Sequence, residues 1–322
     1  MPNYIYDPER DGITVALLSR FRDCRESAEL YAQGWAQRGT SLAMTYGSIS
    51  HGVLELVYRD IQLKKLRKLP SLQETKKYIR KVEVLWEKDN PKADVKTLEF
   101  KEFSFLLAEA TLPVYFEYWF KDIKEMTWLA LEQVFKVPYK LSQFGFKDTY
   151  LYGKMDGVFK SNGIWLLETK TKGRIDEGSL VDTLPLNFQN NFYLSALRRM
   201  HKVKPSGVKY NIIRRTGFEQ KKKESIVQFA KRCAADVRAR PEFYFIRYEI
   251  GIDKAELDAF DIELENQIVE FMQWWTGKLK HYRNPNQCET KYGRCWALGI
   301  CSNGNMKQYE KRKEVFRELE EI

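Results

Sequence analysis

The chain has 322 residues, enough to bury one large hydrophobic core or two modest ones. Hydrophobic residues make up 43% and aromatics 14%, which excludes a disordered chain, and the absence of any run of about 18 apolar residues excludes a membrane-spanning helix. A net charge of +10, from 54 basic and 44 acidic residues, suits a polyanionic partner without identifying one.

The opening residues, MPNYIYDPERDG, are polar and lack the apolar core of a signal peptide. A cytoplasmic location is expected, so the five cysteines need a role other than structural disulfides. Residues 13–38 place apolar and aromatic residues at mixed helical spacing around Cys24, which alone reads as a small buried hydrophobe. Periodicity then predicts a helix from near Thr40 or Ser41, with Gly47, His51 and Glu55 on one face. A lone helical histidine is usually structural, yet this chain has three histidines in all, and Gly52 beside His51 leaves room for another backbone. Residues 59–82 are strongly basic and include Lys64, Lys65, Arg67 and Lys68. They read either as a solvated face or as a phosphate-contacting surface, with Tyr58 and Tyr78 available to stack on bases. Residues 60–140 are expected to form a helical insertion whose many aromatics are mostly core.

The densest chemistry lies in Lys154–Tyr193. Alternation on either side of Ser161-Asn162-Gly163 predicts a β-hairpin. With those three residues as the loop and Lys160 opposite Ile164, Asp156 falls opposite Glu168, and Glu168 and Lys170 share its face. A two-residue turn would instead set Asp156 against Thr169 and split the group. A helix follows with Gln189 and Tyr193 one turn apart, closed by Arg198, Arg199, Lys202 and Lys204, which favour its C-terminal end. Arg198 and Arg199, with Lys64, Lys65, Arg67 and Lys68, are the expected nucleic-acid contacts.

GVKYNIIRRT and YFIRYEIGI read as strands, and Cys233 sits among core residues of the helix between them. A long helix is expected from about Lys254 to Tyr282. Residues 283–305 then hold Cys288, Cys295 and Cys301 in a Gly- and Asn-rich stretch, a pattern that favours a metal or cluster. Such sites usually take four ligands, so a fourth must come from Cys24, Cys233 or His281. The last residues, MKQYEKRKEVFRELEEI, read as a charged surface helix.

Together these pieces resemble the PD-(D/E)XK nuclease superfamily, and within it the RecB-like exonuclease branch that includes the AddB nuclease domain and the CRISPR-adaptation nucleases. The stretch from Gly47 through His51 to Glu55 is similar to that branch's G-x-x-x-H-x-x-L-E helix. Asp156 resembles its metal-binding aspartate, Glu168-Thr169-Lys170 its E-x-K, and Gln189 to Tyr193 its Q-x-x-x-Y helix. One early and three late cysteines resemble its iron–sulfur arrangement. The family commonly spaces the late cysteines C-x2-C-x5-C, whereas here six residues separate Cys288 from Cys295 and five separate Cys295 from Cys301.

The resemblance implies a single nuclease domain over residues 1–322. Its fold would be α/β and restriction-endonuclease-like, a central mixed sheet flanked by helices, with the cysteine segment closing onto Cys24. It implies a metal-dependent DNA exonuclease acting on ends or single strands in recombination, repair or phage DNA processing. A structure-specific endonuclease or a non-catalytic DNA-binding protein of the same fold are the alternatives. Asp156, Glu168, His51 and the backbone carbonyl of Thr169 would hold Mg²⁺ or Mn²⁺. Lys170 would position the attacking water or stabilise charge, with Gln189 and Tyr193 orienting it or the DNA. Cys24, Cys288, Cys295 and Cys301 would bind a 4Fe-4S cluster, a crosslink near both chain ends whose loop closure corresponds to roughly 5–6 kcal/mol. Neither Gly153-Lys154 nor Gly277-Lys278 continues as a Walker A loop, so any motor would be a separate recombination or helicase partner.

Overall fold

The structure, a computed structural model, describes residues 4–66, 68–91, 93–290, 293–316 and 319. Arg67, one of the expected phosphate contacts, lies outside the described residues. The chain opens with α1 (Pro8–Asp11), α2 (Val15–Asp23), α3 (Arg25–Ala32) and the short strand β1 (Trp35–Gln37). Next come α4 (Leu42–Lys64), α5 (Leu72–Asp89), α6 (Val95–Tyr118) and α7 (Asp122–Glu125). The main sheet consists of β2 (Thr127–Tyr139), β3 (Thr149–Ser161), β4 (Gly163–Lys172), β5 (Pro205–Arg214) and β6 (Phe245–Gly251). Between β4 and β5 run α8 (Glu177–Thr183) and α9 (Phe188–His201), and between β5 and β6 run α10 (Ile226–Ala239) and α11 (Pro241–Tyr244). After β6 come α12 (Lys254–Trp275), the hairpin β7 (Glu289–Thr290) and β8 (Gly293–Arg294), α13 (Leu298–Asn303) and β9 (Tyr309–Lys311).

The five strands lie in chain order, antiparallel except for the parallel pair β4–β5. Both faces of the sheet are covered, as a sheet with a parallel pair requires. Leu166 points into a core shared with α2, α9 and α12, and its neighbour Leu167 points into one shared with α4, α6 and α10. The result is the expected mixed α/β sheet flanked by helices. No helix among the described residues is long and apolar enough to cross a membrane.

The hairpin has the expected register. Lys160 pairs with Ile164 and Ser161 with Gly163, which takes a φ of +115° that a side chain would resist. α4 starts where expected, with Ser41 accepting a hydrogen bond from the Met44 N–H.

Three expectations fail. Residues 60–140 are not helical throughout, because 127–139 form β2. There Phe135, Val137 and Tyr139 are buried and alternate with exposed Lys136 and Pro138, a period of two that the surrounding aromatics obscure. The long helix stops at Trp275 rather than Tyr282. Of the last residues, 306–316 do not form a helix. Tyr309–Lys311 pair with β1, and Val315, Phe316 and Leu319 are buried against the core that holds Tyr6 and Tyr31.

Beneath the sheet, Arg247 of β6 donates two hydrogen bonds to Asp122, at 2.6 and 2.7 Å. Both side chains are almost wholly buried. Arg247 also bonds Tyr115 and the side-chain oxygen of Asn211, and its guanidinium lies 3.9 Å from the centre of the Trp119 ring. Removing one partner would strand a buried charge. Asp122→Ala is therefore expected to cost about 3–5 kcal/mol of stability in urea unfolding, and a loss below about 1 kcal/mol would contradict this reading.

Candidate active site

The ladder between β3 and β4 ends at Gly157 and Leu167, while β4 stays paired to β5 as far as Lys172. Past that point the Asp156 side chain takes over: its Oδ2 accepts the Thr169 N–H at 2.7 Å. Asp156 and Glu168 therefore open onto the same gap, as the three-residue loop requires.

Lys170 and Glu168, two apart on β4, meet at 2.5 Å. Gln189 from α9 completes a ring, accepting from Lys170 Nζ at 3.0 Å and donating to Glu168 Oε1 at 2.9 Å. The Tyr193 ring, one turn on from Gln189 along α9, packs edge-on against Phe135. His51 comes in from α4, its Nδ1 3.6 Å from Asp156 Oδ1. Gly47, one turn earlier, lets α4 sit close to β4, since a Cβ there would lie 3.0 Å from Thr171 Oγ1. Thr169, between the two catalytic candidates, is buried and receives a hydrogen bond from Asn211 at 3.3 Å, which links it to the Arg247 cluster.

One residue of the site was missed in the sequence. Glu132 of β2 stands with His51 and Asp156, with one ligand atom from each lying within 4.8 Å of the others. Its Oε2 accepts from Lys154 at 2.7 Å. The readable signal is an acidic residue in the strand TWLALEQVFKVPY, whose period of two the neighbouring aromatics obscure. Lys154 could have been found by alternation, because it sits two residues before Asp156.

The electrostatics are those of a crowded acidic site. Burial, reinforced by the Asp156 charge, raises Glu168 and Glu132 each to about 7. Burial raises Asp156 to about 6 against the opposing Thr169 N–H and Lys170. Burial works against the charge of Lys170, but Glu168 beside it outweighs this and the net shift is upward. His51 is lowered by burial, against the pull of Glu132 and Glu168, so its imidazole is neutral at pH 7. A neutral imidazole, three carboxylates and a Glu168 Oε2 that is buried without a hydrogen-bond partner make a donor set suited to a divalent cation.

The remaining candidates divide. Lys64 pairs with Asp60, Lys65 ends α4 at a φ of +50°, and Lys68 is exposed. Tyr58, offered as a stacking residue, is instead buried beside Trp128 and Tyr115, because its position on α4 faces the core. Tyr78 donates to Asp60. Arg198 and Arg199 both engage Asp261, and Arg198 also Asp258, holding α9 to α12. The charges of Cys24 and Cys288 reach Cys295, and those of Cys295 and Cys24 reach Cys301. The Cys24 sulfur also accepts the Asn284 N–H at 3.4 Å. All four thiols are free of disulfides, and burial pushes Cys301 up to about 11. Cys233 is buried in the opposite core layer, and His281 is taken by Glu26 and Glu29.

Raised carboxylate pKa values mean that the folded chain holds protons the unfolded chain has lost. This cluster's contribution to stability is thus fully present below about pH 4 and is lost as pH rises through 6 to 7. In chelator, Glu168→Gln should flatten the fall in Tm between pH 5 and 8. Added Mn²⁺ should raise the wild-type Tm more at pH 7.5 than at pH 5.5, and equal shifts at both would contradict the assignment.

No curated protein matches the chain. Among solved structures 12 chains match. One is the crystal structure of SSO0001, at 12% identity and a TM-score of 0.26, with 79% of this chain and 84% of that one covered. The family model for the PD-(D/E)XK nuclease superfamily matches residues 13–302, which includes every site residue described above. The chain belongs to the PD-(D/E)XK nuclease superfamily.

Proposed function

We propose that this chain is a metal-dependent deoxyribonuclease acting as an exonuclease on linear or single-stranded DNA, in recombination, repair or phage DNA processing. The observation that carries the reading is the meeting of Asp156, Glu168 and Lys170 in the gap where β3 and β4 part. Asp156, Glu168, His51 and the Thr169 carbonyl would hold Mg²⁺ or Mn²⁺, which supplies an activated water and polarises the phosphoryl oxygen.

Lys170, kept charged by Glu168, has no free base form to take a proton. Its role is to donate hydrogen bonds to the attacking water or to the charged phosphoryl oxygens. Gln189 holds Lys170 and Glu168 in register, with Tyr193 one turn on along the same face of α9. The excess positive charge, with Lys64, Lys65 and Lys68 near the end of α4 and Arg67 among them in the sequence, suits a phosphate backbone. Unwinding would fall to a recombination or helicase partner.

End-labelled linear and circular single-stranded DNA, incubated with Mg²⁺ or Mn²⁺, test the activity. Loss of linear DNA alone is expected, abolished by Asp156→Ala and reduced at least about 100-fold by Lys170→Ala. Cutting of circles would make the enzyme an endonuclease, and no cutting with either metal would reject the catalytic reading.

Cys24, Cys288, Cys295 and Cys301 would hold a 4Fe-4S cluster that staples the C-terminal segment to the turn between α2 and α3. Four free thiols, one of them far distant in sequence, are the donor set such a cluster takes. Protein purified without oxygen should be brown, and Cys24→Ser should lose both the colour and several degrees of Tm. Stoichiometric zinc without iron or sulfide would replace this assignment.

A further inference from the structure

Asn190 follows Gln189 on α9 but has no part in the catalytic gap. Consecutive residues of an α-helix point about 100° apart. α9 therefore turns Gln189 to Lys170 and Glu168, and Asn190 to a separate cavity. That cavity, of about 470 Å³, lies between the turn Leu184–Leu186, α9, the end of β6 and α12. Its volume is that of a small-molecule site. Leu184, Phe188, Leu194, Val208, Ile252 and Phe260 give it largely apolar walls. The rings of Phe188 and Phe260, 5.8 Å apart, supply aromatic surface for a planar ligand.

Against these walls the Asn190 side chain stands out. The residue is 2% exposed, and neither its amide nitrogen nor its amide oxygen has a hydrogen-bond partner. Its backbone N–H is engaged, donating to Asn187 Oδ1 at 3.0 Å, so the orphaned groups belong to the side chain alone. A buried donor and acceptor left unmade are costly, and an apolar residue would avoid that cost. Gln267 of α12 lines the same cavity, and its Oε1 is also buried without a partner. Together the three atoms offer one donor and two acceptors. An amino group beside a ring nitrogen, the edge of adenine, answers all three. The ring nitrogen accepts from Asn190 Nδ2, and the two amino hydrogens go to Asn190 Oδ1 and Gln267 Oε1. Asparagine reads adenine through this pairing, whereas thymine has one ring N–H and leaves an acceptor unmet. At the rim, Arg22 and Glu263 are both exposed, so no excess charge anchors a phosphate, and Glu256 is engaged by the Asp253 N–H at 2.7 Å. We propose that this cavity is an adenine-binding site, separate from the catalytic gap, which holds the base of a free deoxynucleoside or of a DNA strand through Asn190 and Gln267. Binding there needs no metal, so it stands or falls apart from the nuclease reading.

Calorimetry of the intact chain in chelator, with deoxyadenosine and thymidine as probes, tests this. Deoxyadenosine should bind, and thymidine at least about tenfold more weakly. Deoxyadenosine monophosphate should match deoxyadenosine, because the base carries the affinity. Asn190→Leu should weaken deoxyadenosine at least about tenfold, yet raise the Tm of the ligand-free chain by removing the orphaned amide. Ala259→Trp, which fills the cavity from the exposed side of α12, should abolish binding with the Asn190 amide still in place. Oligo(dA) that displaces deoxyadenosine would assign the base to a DNA strand, and oligo(dA) that does not would assign it to a free nucleoside. No binding of deoxyadenosine would overturn the proposal, and a Tm lowered by Asn190→Leu would then make the cavity the seat of an ordered water. Equal binding of deoxyadenosine and thymidine would also overturn it, by making the cavity an unselective apolar slot.

Discussion

The site depends on the place where β3 and β4 stop being paired. A continuous ladder would have spent the Thr169 N–H on a backbone carbonyl and closed the gap. Here the carboxylate of Asp156 accepts that N–H at 2.7 Å, which satisfies a buried donor and fixes Asp156 at the same time. β4 can leave β3 because it has another partner, the parallel strand β5, paired to it through Glu168, Thr169 and Lys170. The catalytic candidates are therefore held by a rigid strand on one side while their side chains face an opening on the other.

The charge in the gap follows from this geometry. Three carboxylates, Glu168 buried and Asp156 and Glu132 half-buried, act on one another, and each is raised toward neutrality. Two lysines offset part of that cost, and Gln189 ties one carboxylate–lysine pair to α9. Such a site is poorly stable without positive charge, and that instability is what makes it receptive to a cation. The Arg247–Asp122 cluster supports it from below. It reaches Thr169 through Asn211, so the residue between Glu168 and Lys170 is braced by a buried ion pair.

The cysteine segment does comparable work at the other end of the fold. β9 pairs with β1, the Tyr309 hydroxyl donates to the Trp296 carbonyl at 2.8 Å, and the Trp296 indole N–H donates to Ser27 of α3 at 2.9 Å, which ties the segment carrying Cys295 and Cys301 to α3. His281 and Cys233 could each have supplied a fourth ligand by residue type alone. Only the packing separates them, by giving His281 two glutamates and Cys233 an apolar core.

Much of this was determined by the sequence alone. Alternation about Ser161-Asn162-Gly163 dictated that Asp156, Glu168 and Lys170 share a face, and helical spacing placed Gln189 with Tyr193 and Gly47 with His51. These relations are local, set by strand and helix periods that the chain carries in its own order. Glu132 was decided only by the tertiary structure, because its direction depends on a register shift and a left-handed residue, which pairing with β3 imposes. The fate of Arg198 and Arg199 was decided in the same way. Their types suited phosphate, but their partners, Asp258 and Asp261, arrive from a helix some 60 residues later. Local periodicity cannot see a partner that distant, and packing chooses it.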